Sequence, residues 1–218
     1  MSQKLIYFVR HGESELNARG IRQGREGALS EKGRMQVHET AERFPKKKGK
    51  PEIIIASPYE RTKETAEIIA NELKMKVYYS ELLVERRNPS EIVGHAGKEK
   101  TVQEIVDKID KSFHDDSLRY SDEENFTDLK HRAKELLAYI KTLPENRIIM
   151  VTHGIFLKMV ISYIVRGESL NASEYNKLSF FNAMDNAGIT IVKYIPHWFK
   201  KDEWKLVAWN NELNEMLK

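Results

Sequence analysis

Short runs rich in β-branched residues recur along this chain, and between them apolar residues return at helical spacing. Strands are predicted over Lys4 to Val9, Glu52 to Ala56, Lys76 to Tyr79, Arg147 to Thr152, Gly188 to Tyr194 and Trp204 to Trp209. Val37, Ala41 and Phe44 share one face of a helix that Ser30 can cap. Thr62, Thr65, Ala66, Ile69 and Leu73 line a second helix, with Ser57 as its cap and Pro58 at its first position. Phe126 to Leu143 keeps helical periodicity up to Pro144, and Ile155 to Arg166 is so apolar that it must be buried, with Gly167 placed to end it. Alternation of this kind predicts an α/β fold: a single-domain, three-layer arrangement over residues 1–218, with a mostly parallel central sheet flanked by helices. A polar segment of about 86–124, with one helical stretch near Val102 to Ile109, is predicted to be inserted as a lid or binding element.

Composition removes several classes of function. The chain has no cysteine, which excludes disulfides, thiolate metal sites and a cysteine nucleophile. Its net charge is only +3, and Lys46-Lys47-Lys48-Gly49-Lys50, set between Pro45 and Pro51, reads as a solvated loop. No aromatic residues interleave with those lysines, so no nucleic-acid partner is expected. The longest apolar region, Ile148 to Val165, is broken by Thr152-His153-Gly154 and carries Lys158, so no membrane association is expected. The polar start of the chain lacks the form of a signal peptide, and a cytoplasmic location is expected. His38, His95, His114, His131 and His197 show no zinc-ligand spacing, and His114-Asp115-Asp116 reads as a solvated loop, so no metal is expected.

Chemistry concentrates at three strand ends. The first strand runs into Arg10-His11-Gly12, the second into Ser57-Pro58-Tyr59-Glu60-Arg61, and the fourth into Thr152-His153-Gly154. Ligands of open α/β sheets bind outside the carboxyl ends of the strands. If the three strands are neighbours, Arg10, His11, Arg61 and His153 converge, and two guanidiniums with two imidazoles call for a doubly charged anion such as phosphate. Arg61 falls in the first turn of its helix, where the dipole disfavours a cation. A broken local rule beside a suspected anion site points to function.

These residues carry a family resemblance. Val9-Arg10-His11-Gly12-Glu13-Ser14-Glu15-Leu16-Asn17, then Gln23-Gly24 with Leu29 to Gln36, Ser57-Pro58 with Arg61 and Thr65, and Val151-Thr152-His153-Gly154 together resemble the histidine phosphatase superfamily, which includes phosphoglycerate mutases and acid phosphatases. Asn186-Ala187-Gly188-Ile189-Thr190 is similar to a late strand entry of that family. The resemblance implies phosphoryl transfer through a phosphohistidine, with no metal and no cofactor, on a small phosphorylated substrate. His11 is then the nucleophile, with Arg10, Arg61 and His153 around the phosphoryl oxygens and Asn17 and Gly154 as further phosphate contacts. Glu85, in the run Leu83-Val84-Glu85, is the implied proton donor, ahead of Glu81 and Glu91. Gln23 and Arg86 are candidate substrate contacts. Arg87-Asn88-Pro89-Ser90 follows Glu85-Arg86 where the mutases carry a tyrosine-glycine pair, and no tryptophan stands near Arg25. The F-G-x-W-E-G run of cobalamin-pathway phosphatases is also missing. A phosphomonoesterase is therefore expected, with a cofactor-dependent phosphoglycerate mutase and a non-catalytic phosphoprotein-binding scaffold as alternatives. If any of Arg19, Arg22, Arg25, Arg86 and Arg87 face the crevice, a substrate with a second anionic group is favoured.

Overall fold

A computed structural model describes residues 2–112, 115, 118–180 and 184–211. In chain order the strands are β1 (Lys4–Arg10), β2 (Ile53–Ala56), β3 (Val77–Tyr79), β4 (Arg147–Thr152), β5 (Ile189–Ile195) and β6 (Glu203–Asn211). The helices are α1 (Glu15–Ala18), α2 (Glu31–Glu42), α3 (Glu60–Leu73), α4 (Lys100–Ser112), α5 (Phe126–Thr142), α6 (Gly154–Arg166) and α7 (Ala172–Phe180). They flank one six-stranded sheet of order β3-β2-β4-β1-β5-β6, in which β3, β2, β4 and β1 are parallel and β5 pairs antiparallel with both β1 and β6.

The strand period of two divides the core into two layers. Ile6, Phe8, Ile148 and Met150 point to one face, where Leu129, Leu136 and Ile140 of α5 and Phe156 and Val160 of α6 cover them. Tyr7, Val9, Ile149 and Val151 point to the other, under Val37 and Ala41 of α2 and Ala66 and Ile69 of α3. Helix α2 starts as expected, with Ser30 Oγ accepting from Gly33 N–H at 3.0 Å. Its start crosses the end of β1 so closely that a Cβ on Gly33 would stand 1.9 Å from the Glu13 carbonyl oxygen. Only glycine fits there.

Two expectations need correction. Helix α3 begins at Glu60 after Tyr59 rather than after Ser57; Tyr59 makes no side-chain cap, while the Ser57 hydroxyl accepts from Tyr59 N–H at 3.3 Å and lies 2.9 Å from His153 Nε2. Helix α7 was not anticipated; it is nine residues long and packs on α6 with Tyr175 buried. The segment 86–124 holds the expected helix as α4, but it is fastened to the body. Ile92, Val102 and Ile109 are buried in the larger core cluster, and Ala96 bridges Ile21. It forms a wall. His114 and Asp116 lie outside the described residues. No described helix is long and apolar enough to cross a membrane.

Candidate active site

Neighbouring parallel strands bring the three motif ends to one edge of the sheet. Arg10 is registered with Thr152 and Val151 with Ala56; beyond the strands His11 N–H donates to Thr152 O at 3.0 Å and Ser57 N–H to Val151 O at 3.0 Å. Asn186 Nδ2 and Ala187 N–H both donate to the His11 carbonyl, at 3.2 and 3.1 Å. Ala187 holds a φ of 59°, a left-handed conformation costly for alanine, at the point where the chain turns back to support this carbonyl.

The His11 ring is oriented from both sides. Its Nδ1 lies 2.7 Å from the Gly12 carbonyl, which can only accept, so Nδ1 carries the proton. The lone pair is then on Nε2, 3.3 Å from the donating Nε of Arg61. Arg61, 3% exposed, is held by Gly24 O at 3.0 Å and by the face of Tyr59, 5.2 Å away. Burial, then the charges of Arg61 and Arg10, hold the His11 imidazole well below its usual value, so the ring is neutral. Arg10 donates to the Met184 carbonyl, and its guanidinium lies against Gly154, where a Cβ would stand 3.4 Å from Nε.

His11, Arg10 and Arg61 open onto a cavity of about 450 Å³ that is also lined by Asn17, Gln23, Glu85 and Gly154. Ser14 Oγ lies 3.0 Å from Asn17 Oδ1 and 2.8 Å from Gln23 Oε1, and its one proton is given to either amide oxygen in turn. Glu85 is seated on the start of α6: its carboxyl accepts from Ile155 N–H at 3.2 Å, Phe156 N–H at 2.9 Å and Arg86 N–H at 2.9 Å. Glu81, by contrast, pairs on the surface with Arg25 at 2.6 Å and does not line this cavity.

Two expected residues are not among those that line this cavity. His153 is fully buried beside His11, ring centroids 5.1 Å apart, with Nε2 2.9 Å from Ser57 Oγ and Nδ1 without a hydrogen-bond partner. Burial, then the Arg61 charge, hold it too well below the usual imidazole value. Arg86 faces an adjoining cavity of about 680 Å³ that shares Gln23, Glu85 and Asn88 with the first. Sequence reasoning missed Asn88 and Lys158 as lining groups and left Arg22 undecided among five arginines; all three line the first cavity. Lys158 was readable in principle, since it stands one helical turn after Gly154. Among the described residues, no group of three or more His, Asp or Glu side chains is placed to hold a metal ion.

The sequence pattern of the histidine phosphatase superfamily (branch 1) matches residues 6–212. A protein named probable phosphoglycerate mutase GpmB, from Erwinia tasmaniensis, is 31% identical over 169 residues, which cover 73% of this chain and 74% of that one. The mycobacterial glucosyl-3-phosphoglycerate phosphatase, solved with VO3, superposes with a TM-score of 0.77 at 21% identity, covering 96% of this chain and 100% of the other. A mutant phosphoserine phosphatase of Entamoeba histolytica, solved with phosphoserine, gives 0.72 at 25% identity over 95% of this chain and 96% of its own.

Proposed function

Because the chain belongs to the histidine phosphatase superfamily, branch 1, we propose that it is a metal-independent phosphomonoesterase that acts on a small phosphorylated metabolite through a phosphohistidine. The observation that carries this reading is the state of His11: neutral, protonated on Nδ1, with its Nε2 lone pair beside the Arg61 guanidinium at the cavity wall. A ring held in this way is a nucleophile that needs no further activation.

Phosphorus is attacked by Nε2; the P–N bond forms as the bond to the ester oxygen breaks, and Glu85 gives its proton to the departing alkoxide. Arg10 and Arg61 face the phosphoryl oxygens as their charge grows, the work a divalent cation does in many phosphoryl-transfer enzymes. A water then attacks phosphorus, loses a proton to Glu85, and breaks the P–N bond, which returns a neutral His11 and releases phosphate. His153 acts by packing against His11 and holding the Ser57 hydroxyl. Asn17, Gln23 and Gly154 border the same space, with Gly154 giving Arg10 room.

A mutase is the second reading, favoured by the name of the Erwinia tasmaniensis relative. One assay separates the two. With 3-phosphoglycerate and a bisphosphoglycerate primer, in excess EDTA, the phosphatase reading expects slow release of free phosphate and little 2-phosphoglycerate. Fast isomerisation without free phosphate replaces it with the mutase, and phosphate release that stops with EDTA and returns with a divalent ion removes the metal-independent step.

A further inference from the structure

The four parallel strands all start at the sheet edge opposite the candidate active site, and the chain keeps its positive charge at that edge. Lys4 of β1 is registered with Tyr194 near the end of β5, and Ile195 with Glu203 at the start of β6, so the β5–β6 turn lies there too. Segments 43–52, 74–76, 143–146 and 196–202 lead into β2, β3, β4 and β6 at this edge. Together they hold nine lysines and arginines against Glu52, Glu145 and Asp202, a net of +6 in a chain whose total is +3. The rest of the molecule is therefore acidic. Lys47, Lys48, Lys74, Lys76 and Lys201 are exposed and make no ion pair among the described residues.

The same edge carries the barest apolar side chains of the fold. In the β5–β6 turn Trp198 is 90% exposed and Phe199 102%. That turn is fastened at its base, where Asp202 accepts from Tyr194 Oη at 2.6 Å, Lys141 Nζ at 3.0 Å and His197 N–H at 3.2 Å. The two rings therefore project from a loop pinned to the body. Ile164 and Gly167 border a cavity with Lys201 and Trp204, so the last turn of α6 lies beside this loop and adds Val165, itself 59% exposed.

We propose that this edge is a docking face for an anionic lipid bilayer, with Trp198 and Phe199 entering the headgroup layer and the surrounding lysines facing its negative charge. Aromatic rings favour that layer, and lysines near an anionic leaflet are drawn to it. Stable attachment takes two signals, and this face has both. Six strands spaced about 4.8 Å apart keep the farthest lysines, in 74–76, within roughly 25 Å of the turn, so one surface can meet them all. A nucleic acid offers the same charge, but its bases stack on rings set along a groove, whereas these two rings stand together on a projecting turn. Contact of this kind needs no spanning segment, so it is compatible with the broken apolar run of Ile148 to Val165. His11, beyond the far end of β1, stays open to dissolved substrates.

Flotation of the intact protein with vesicles of phosphatidylcholine, alone or mixed with phosphatidylglycerol, tests the proposal. Binding to the mixed vesicles is expected to be about tenfold tighter or more, and to weaken with salt. Lys47→Gln with Lys48→Gln should lower that affinity about 25-fold, at about fivefold for each lysine. Trp198→Ala with Phe199→Ala should lower it about tenfold or more and remove the blue shift of tryptophan emission on vesicles, although Trp204 and Trp209 remain. Lys98→Gln with Lys100→Gln, an equal loss of exposed charge beside the residues that bond to Gly20 and Arg22, should keep it. Circular dichroism checks the fold of each variant, and the lipid comparison on the native protein needs no variant. No binding, equal binding to both vesicles, or equal losses in the two lysine pairs overturns the proposal. So does release by inorganic phosphate at constant ionic strength, which would place the lipid phosphate in the His11 cavity. Self-association that Trp198→Ala with Phe199→Ala abolishes, without vesicle binding, assigns the face to a second copy instead, and binding to single-stranded DNA in preference to vesicles assigns it to nucleic acid.

Discussion

The Nε of Arg61 donates to Nε2 of His11 across 3.3 Å, at the one ring nitrogen that Gly12 leaves free. The guanidinium therefore already points to where a phosphoryl group must stand to be attacked. Its second anchor, Gly24 O at 3.0 Å, keeps it there.

Removing that cation should cost transition-state stabilisation more than binding. Arg61→Gln is expected to lower kcat by about 10²- to 10³-fold, with a smaller change in KM. Steady-state kinetics on p-nitrophenyl phosphate read this directly; a loss confined to KM would assign Arg61 to substrate binding alone.

Glu85 is the proposed acid, and its effect should track the leaving group. An alkyl oxygen needs a proton to depart, whereas p-nitrophenolate is a weak enough base to leave with little help. Glu85→Gln should cost about 10²–10⁴-fold on alkyl phosphates and far less on p-nitrophenyl phosphate. Equal losses on both, or a larger selective loss in Glu81→Gln or Glu91→Gln, contradict the assignment.

Two buried imidazoles held neutral make stability depend on pH. His11 and His153 both sit well below the ordinary imidazole value of about 6.5, so between that value and their lowered ones the unfolded chain binds more protons than the folded chain. Stability from this source is complete above about pH 6.5 and is lost as pH falls below it. Urea midpoints measured from pH 8 to pH 5 should be level at first and then decline, with a shallower decline in His153→Gln. A midpoint that rises toward pH 5 contradicts the neutral state of the pair.

Much of this was readable before any fold was known. The short runs rich in β-branched residues marked the strands, and the charged residues at their ends marked the site, because run composition and strand-end position are properties of nearby sequence. What stayed hidden depends on distant partners. Ser57-Pro58-Tyr59-Glu60 has every local sign of a helix start, yet α3 begins only at Glu60, and the Ser57 hydroxyl also meets His153, 96 residues away. Arg22 and Arg25 look alike in sequence, but Arg22 is stitched to residues 94–97 and turned into the cavity, while Arg25 pairs outward with Glu81. Helix α7 escaped because it is short and has little apolar periodicity of its own; packing on α6 stabilises it.

The loop that carries Glu85 hangs on a buried ion pair. Arg132 of α5 holds Glu124 by two bonds, at 3.0 and 2.7 Å, and donates to Val84 O at 2.6 Å, while Glu124 also accepts from Arg87 N–H at 3.0 Å. Breaking one side leaves the other charge buried, so Glu124→Gln should destabilise the fold by about 3 kcal/mol and weaken turnover of alkyl phosphates more than of aryl ones. Chemical denaturation and the same leaving-group comparison check both. Unchanged stability would mean that water reaches the pair.

The central claim is that phosphate passes through a covalent bond to His11. Protein mixed with radiolabelled substrate and quenched within milliseconds should carry label that acid removes and alkali spares, located by peptide mapping on the segment containing His11 and lost in His11→Ala along with turnover. Label that survives acid, or that persists in His11→Ala, would contradict it.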